Sequence, residues 1–305
     1  MNLTLSYRPV DSPIHRLSPF VMLSWVGVVL LSSMLLQHPL WLAGVFLATV
    51  AVAWRARVIR EWATLMRYVA FMAAAIVAIN ALVSQQGSHV LLEAGFRLPL
   101  VGTPRLTVEG LAFGGAMALR LAGIISAFTL LNLCVHPDDL MRAAIKLKLP
   151  YRSVLVTSLS TRFIPVLMAD ARTVVDVQRS RGLSFDRGNL VERIRNAGAL
   201  IFPLLSNSLD RAVQVAEAME ARAYGARVQR TFYRDRPLRA GDTALLFVLL
   251  AGSALLVVAH GSGIGGYEYY PALDGIEMTL REWGALGVFL AALLSVALAR
   301  LKEGE

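Results

Sequence analysis

LRLAGIISAFTLLNLCVHPDDLMRAAIKLKLP, residues Leu119–Pro150, contains the change of solvent that decides the fold. Up to Val135 the run is apolar apart from Arg120 and a few small polar residues, as a helix in hydrocarbon must be. From His136 onward, acids and bases return. Asp138 and Asp139 stand behind Pro137, where a helix begins, Lys146 and Lys148 lie toward its other end, and Pro150 closes it. The boundary separates a membrane-spanning helix from a short amphipathic helix in water.

Working outward, the N-terminal side reads as four spans: Leu17–Leu36, Pro39–Trp54, Trp62–Val83 and Glu109–Val135. Gln37, His38 and Pro39 are too few to do more than reverse direction between the first two. The fourth span is overlong, which implies tilt or extension into water. On the C-terminal side the text stays polar and basic from His136 to Arg239, and Asp242–His260 and Trp283–Arg300 then resume membrane character. Composition agrees: the 305 residues are 56% hydrophobic and 17% charged, with a mean hydropathy of +0.57, more apolar than one soluble core of this length requires. The expected fold class is an all-α membrane protein of about six transmembrane helices plus a cytoplasmic helical domain. The expected organisation is a four-span domain over 1–135, the cytoplasmic domain over 136–239 and a two-span hairpin over 240–305.

Orientation follows from basic residues in short joints. Arg55, Arg57 and Arg60 crowd the joint after span two, whereas the joint after span three carries only Arg97 and Arg105. The first joint is therefore cytoplasmic, both termini are inside, and Glu268, Asp274, Glu277 and Glu282 lie outside. Roughly 25 of the 30 Lys and Arg then fall on the cytoplasmic side.

Within the membrane, close packing of small residues substitutes for the hydrophobic drive that lipid does not supply. Gly110, Gly114, Ala118 and Ala122 form such a stripe on span four, and Ala70, Ala74 and Ala78 repeat it on span three. These helices are candidates to pack on each other or on another subunit. Arg120 lies on the order of 16 Å along span four and is expected to face protein or water, either pairing with backbone carbonyls or an acid or serving a partner interface.

Several functional classes are excluded. The single Cys134 rules out a disulfide framework or a cysteine metal site. The basic excess sits in one segment, unlike a nucleic-acid footprint. No Gly-x-x-x-x-Gly-Lys-Ser/Thr phosphate loop occurs, so ATP hydrolysis by this chain is not expected. Gly261-Ser262-Gly263-Ile264-Gly265-Gly266 has dinucleotide spacing but follows a span rather than a strand and reads as a flexible loop. The five histidines show no zinc-binding spacing. No catalytic residue, metal ligand or cofactor is expected.

The cytoplasmic segment reads as two long helices. One runs from about Arg152 to Arg181, bent at Pro165 and stopped by Gly182. The other runs from near Leu190, past Pro203, to a stop at Tyr224 and Gly225. Each ends on an arginine: Gln178-Arg179-Ser180-Arg181-Gly182 and Ala218-Met219-Glu220-Ala221-Arg222-Ala223-Tyr224-Gly225. The ordinary explanation is that a basic side chain in the last turn satisfies carbonyls and the helix dipole.

Together with Asp11-Ser12-Pro13-Ile14-His15-Arg16-Leu17, Leu106-Thr107-Val108-Glu109-Gly110-Leu111, Leu119-Arg120-Leu121 and Arg162-Phe163-Ile164-Pro165, these ends give a sequence that resembles the transmembrane T component of energy-coupling factor transporters. The resemblance covers nearly three quarters of the chain. It implies a prokaryotic cytoplasmic-membrane scaffold whose two long helices cross beneath the bilayer. It also implies that Ser180, Arg181 and Gly182 at one end, and Ala221, Arg222 and Ala223 at the other, seat in grooves of two cytosolic ABC ATPase subunits. The apolar first half of the long helix, with Val154, Leu155, Leu159, Phe163 and Leu167, would then face a membrane S component that binds the substrate, a vitamin or related micronutrient; burial against the chain's own spans is the competing reading. The sequence departs from the family pattern at Ala223, where glycine is usual, and at Ser18-Pro19-Phe20, where Asp-Pro-Arg is usual. Ala223 is compatible with a continued helix capped at Gly225. A dedicated cobalt or nickel scaffold is an alternative within the same class, and a self-contained secondary carrier is the alternative outside it; the near-absence of acids in the spans disfavours the carrier.

Overall fold

In the computed structural model the described residues are 10–83, 87–93, 105–147, 150–183, 189–225, 238–275 and 277–299. The elements are α1 (Pro19–Leu35), α2 (Pro39–Arg55), α3 (Ile59–Val83), β1 (Val90–Glu93), β2 (Arg105–Thr107), α4 (Val108–Cys134), α5 (Pro137–Lys146), α6 (Tyr151–Ser180), α7 (Leu190–Ala221), α8 (Ala240–Gly261) and α9 (Leu280–Leu298). The chain divides into two units, one of Met1–Leu140 with Arg236–Glu305 and the other of Met141–Asp235. It is an all-α multi-pass membrane protein. Among the described helices α3, α4, α6, α8 and α9 are long and apolar enough to cross a bilayer, and α1 and α2 are apolar helices of 17 residues each.

Boundaries differ from expectation where local hydrogen bonds extend a helix. α9 begins at Leu280 rather than Trp283 because Glu282 accepts from the Thr279 amide at 2.7 Å and from its hydroxyl at 3.0 Å. Glu282 is thus a first-turn residue and not a loop acid. The joint between α2 and α3 shrinks to Ala56, Arg57 and Val58, with Arg57 in the left-handed region at φ 60°, and places Arg60 in α3.

The joint after α3 contains an antiparallel pair, β1 with β2, which the apolar pattern did not foretell. It is tied to the start of α4: Thr107 Oγ1 accepts from the Gly110 amide at 3.1 Å, and Glu109 accepts from Ser88 Oγ at 2.9 Å and His89 Nδ1 at 2.8 Å. Glu109, fully buried, lies in the first turn of α4, where span four was expected to open, and also anchors this joint. Arg97 lies outside the described residues.

The membrane unit is centred on Trp25, Trp41, Phe289 and Leu293, all buried. Trp25 Nε1 donates to the Leu293 carbonyl across α1 and α9 at 3.1 Å. A second chain of bonds stitches three helices: Trp62 Nε1 donates to Ser126 Oγ, Ser126 to Thr49 Oγ1, and Thr49 to the Phe46 carbonyl, each at 2.7 Å. Every polar side chain in this buried series has a partner, which a low-dielectric setting demands.

α4 packs on α3 through glycine, with a correction to the expected partner face. A Cβ on Gly114 would stand 2.9 Å from Val77 Cα, and one on Gly110 would stand 3.1 Å from the Asn80 carbonyl. The α3 side of this contact is Val77, Asn80 and Ala81, while Ala70, Ala74 and Ala78 are exposed. The alanine repeat thus lies off the contact, because the glycines admit the α3 backbone itself and need no small side chains opposite.

The joint between α1 and α2 is held from two directions. Arg120 Nη2 donates to the Leu36 carbonyl at 2.8 Å and Tyr269 OH to the Gln37 carbonyl at 2.7 Å, while the amides of Gln37 and His38 both donate to the Gly265 carbonyl at 3.1 Å. Gly265 has φ 84°, and a Cβ there would stand 2.7 Å from Leu36 Cδ2, so both conformation and space require glycine. The 261–266 run is accordingly a defined turn against this joint rather than a flexible loop. Burial lowers the pKa of His38, which keeps Nδ1 available to accept from the Leu40 amide at the start of α2. The guanidinium of Arg120 thus reaches the C-terminal end of α1 and pairs there with a backbone carbonyl, one of the two roles expected for it.

Gly114→Leu must displace the α3 backbone and is expected to cost about 1–3 kcal/mol, read as a lowered thermal midpoint in detergent. Gly115→Leu meets open space and is expected to leave the midpoint nearly unchanged. Equal effects of the two changes would contradict the α3–α4 contact.

Candidate functional site

Within Met141–Asp235, α6 and α7 lie antiparallel. The Tyr151 ring at the start of α6 is 6.5 Å from the Tyr224 ring just past the end of α7, and farther along Arg211 Nη2 donates to Asp170 Oδ2 at 2.9 Å. Pro165 and Pro203 are carried inside α6 and α7, each of which continues through its proline. Because the helices run oppositely, their C-terminal ends point away from each other. At 1.5 Å per residue the 30 residues of α6 separate the two ends by about 45 Å.

Both ends are built the same way. At the end of α6 the Leu183 amide donates to the Gln178 carbonyl and the Gly182 amide to the Arg179 carbonyl, both at 3.0 Å, with Gly182 at φ 88°. At the end of α7 the Tyr224 amide donates to the Met219 carbonyl at 2.9 Å and the Ala223 amide to the Glu220 carbonyl at 2.8 Å, with Ala223 at φ 54°. These are two Schellman caps in the same register, and Arg181 and Arg222 hold the same position in each. Ala223 therefore does not continue the helix to a cap at Gly225; it takes the left-handed position itself. The pair of bonds formed by turning the chain there outweighs the methyl's steric cost of about 1 kcal/mol.

The same caps take over the carbonyl part of the ordinary explanation for the arginines and leave only the attraction of the helix dipole. Backbone amides satisfy the last carbonyls, and among the described residues neither the Arg181 nor the Arg222 guanidinium makes a hydrogen bond or ion pair. Ser180 Oγ donates back to the Asp176 carbonyl at 3.0 Å, and Ser180, Arg181, Gly182, Ala221, Arg222 and Ala223 are all exposed. Each end thus presents a guanidinium fork on a rigid cap, suited to carboxylates and carbonyls of another molecule.

Between the ends, a groove of about 420 Å³ runs along the pair, lined by Leu159, Phe163 and Leu167 of α6 and by Ala212, Val215 and Met219 of α7, among others. Leu155 is half-buried and lies outside this lining. Of the five expected apolar residues Val154 is buried and the other four are not, and neighbouring Ile164, Met168, Phe202 and Leu209 are exposed, Phe202 by 80%. Exposed large apolar side chains on both helices, beside an apolar groove, suit contact with another molecule. The Asp170–Arg211 pair at the groove was not read from sequence, since nothing in either helix alone marks the register that joins them. Arg120 belongs to the other unit and takes no part in this site. Arg230 lies outside the described residues.

Ala223→Gly is expected to slow amide hydrogen exchange at the end of α7 about fivefold, and Gly182→Ala to accelerate it at the end of α6 by a similar factor. No space is lost at Gly182, where a Cβ would meet nothing within 4 Å, so any effect there reports conformation. Unchanged exchange in both variants would contradict the left-handed caps.

The family model described as CbiQ, cobalt transport protein, matches residues 11–232, which includes both caps. The energy-coupling factor transporter transmembrane protein EcfT of Bacillus selenitireducens is 31% identical over 266 residues, covering 84% of this chain and 96% of the relative. That of Staphylococcus aureus is 30% identical over 269 residues, with 85% and 97% covered, and that of Heliobacterium modesticaldum 31% identical over 267 residues, with 82% and 94% covered. With an arginine-capped helix pair, an apolar multi-helix membrane unit and likeness of this extent, the chain belongs to the CbiQ family of transport proteins as a transmembrane component of the energy-coupling factor type.

Proposed function

We propose that this chain is the scaffold through which two cytosolic ABC ATPase subunits drive a membrane S component that binds and imports a vitamin or related micronutrient. The observation that carries the reading is the pair of equivalent caps, each offering an uncommitted arginine, at opposite ends of one antiparallel helix pair. Two like ends suit two like partners. Ser180, Arg181 and Gly182 engage one ATPase, and Ala221, Arg222 and Ala223 engage the other. A change in separation between the ATPases then moves both ends of α6 and α7 and alters the groove between them.

The S component sits on the apolar surface that includes Leu155, Leu159, Phe163 and Leu167. Its selectivity, and not this chain's, sets the cargo. The protein lies in the prokaryotic cytoplasmic membrane with both termini inside, residues 136–239 form the cytoplasmic domain, and α6 belongs to it despite its apolar stretch. The chain itself is non-catalytic. The cobalt in the family description makes a dedicated metal-ion scaffold the second reading, and assaying uptake by the co-purified complex with vitamins and with cobalt or nickel separates the two.

Arg181→Glu is expected to reduce ATPase assembly and substrate uptake at least about tenfold at matched protein levels, since it places an acid where a cation is accepted. Arg222→Glu is expected to lose less and the double change nearly all uptake. Arg172→Glu on exposed α6 surface, and Arg230→Glu, are expected to stay near wild type. Wild-type uptake by the double variant, or equal sensitivity of the control arginines, would overturn the assignment.

A further inference from the structure

The membrane unit holds a cavity of about 500 Å³ beside the α1–α2 joint, lined by Gln37, Phe113, Met117, Arg120, Glu268 and the rings of Tyr267, Tyr269 and Tyr270. It contains one cation and one anion that do not neutralise each other. Arg120 spends Nη2 on the Leu36 carbonyl, its Nη1 has only the Met117 thioether at 3.7 Å, and its buried Nε has no partner. Among the described residues no carboxylate pairs with it. Glu268 is exposed, and its ordered contacts are made by its backbone, whose amide donates to Asp274 Oδ2 at 3.0 Å and whose carbonyl accepts from the Asp274 amide at 3.1 Å, leaving its carboxylate uncommitted among the described residues.

Position narrows the ligand. The joint marks the end of two apolar helices, hence the level at which hydrocarbon gives way to headgroups, and tyrosines cluster at that level in membrane proteins. Phe113 and Met117 supply an apolar wall for a glycerol and the first part of an acyl chain. A guanidinium selects phosphate, whereas a carboxylate beside aromatic faces selects an ammonium. Separated and unpaired, they match a zwitterion with both groups on one short linker.

We propose that this cavity binds the headgroup of a phosphoethanolamine lipid, with phosphate on Arg120 and ammonium between Glu268 and the tyrosine rings. The phosphate gives Arg120 Nη1 an oxygen acceptor in place of the thioether and so braces the residue that holds the end of α1. A phosphoglycerol headgroup lacks the ammonium, and a phosphocholine headgroup lacks the N–H donors that Glu268 accepts.

The test is native mass spectrometry of the full chain released from nanodiscs with equal parts of phosphatidylethanolamine, phosphatidylglycerol and phosphatidylcholine. The expected result is retention of phosphatidylethanolamine about tenfold over the others, lost for all three lipids in Arg120→Gln. Glu268→Gln, an exposed change that leaves the α1 contact intact, is expected to abolish the preference among headgroups while keeping retention of phosphate lipids. It decides the matter by itself should Arg120→Gln fail to assemble. Free glycerophosphoethanolamine at millimolar concentration is expected not to compete. Equal retention of the three lipids by the wild type, or an unaltered preference in Glu268→Gln, overturns the proposal, and competition by the free headgroup overturns the lipid as the source.

Discussion

A helix leaves its last carbonyls without partners, and the way each end is satisfied organises this protein. At α1 the need is met by other parts of the chain: Arg120 reaches the Leu36 carbonyl from α4, and Tyr269 reaches the Gln37 carbonyl from the segment between α8 and α9. Those bonds fix three helices and a turn to one joint. At α6 and α7 the chain satisfies carbonyls of its own last turn by turning left-handed at Gly182 and Ala223, and among the described residues the adjacent guanidinium makes no hydrogen bond or ion pair. One ending consolidates the membrane unit and the other leaves a charge available to a partner.

The contrast gives physical content to the division of the chain. The membrane unit buries Trp25, Trp41 and Phe289 and links α2, α3 and α4 through Trp62, Ser126 and Thr49. The α6–α7 unit has Val154 as its buried α6 residue and keeps Phe202, Leu209 and Ile164 exposed. Side chains that would be a liability on a free surface suit one covered as proposed. A scaffold needs both properties, a part that stays put and a part with groups left unpaired.

Much of this was legible in sequence. Apolar length located every helix of the membrane unit, and the proline, glycine and basic residues located α5, α6 and α7, because span length and helix ends depend on local residue chemistry. Gly110 and Gly114 announced a close approach. What failed depended on partners far along the chain. Ala70, Ala74 and Ala78 gave the spacing of a contact without its direction, since the glycines opposite leave α3 free to choose its face. Glu282 fell just short of the expected span because its bonds to Thr279, which no period reveals, begin α9 at Leu280. Ala223 shows the opposite lesson: its side chain argued for a continued helix, but the two cap bonds won over the methyl. The paired arginines were visible as a pattern, whereas their freedom from the carbonyls could come only from coordinates.

The central claim is that both arginine caps lie against nucleotide-hydrolysing subunits. Cys134 is buried, so a single cysteine introduced at Arg181 or at Arg222 is the one exposed thiol among the described residues available to a short bifunctional reagent. Mass-spectrometric identification of what each position captures in intact membranes is the most direct measurement. The expected result is an ABC ATPase joined at each position, with the reagent acting from the cytosolic side. Capture of no ATPase at either cap, or labelling only by an impermeant reagent applied to the cell exterior, would contradict the account.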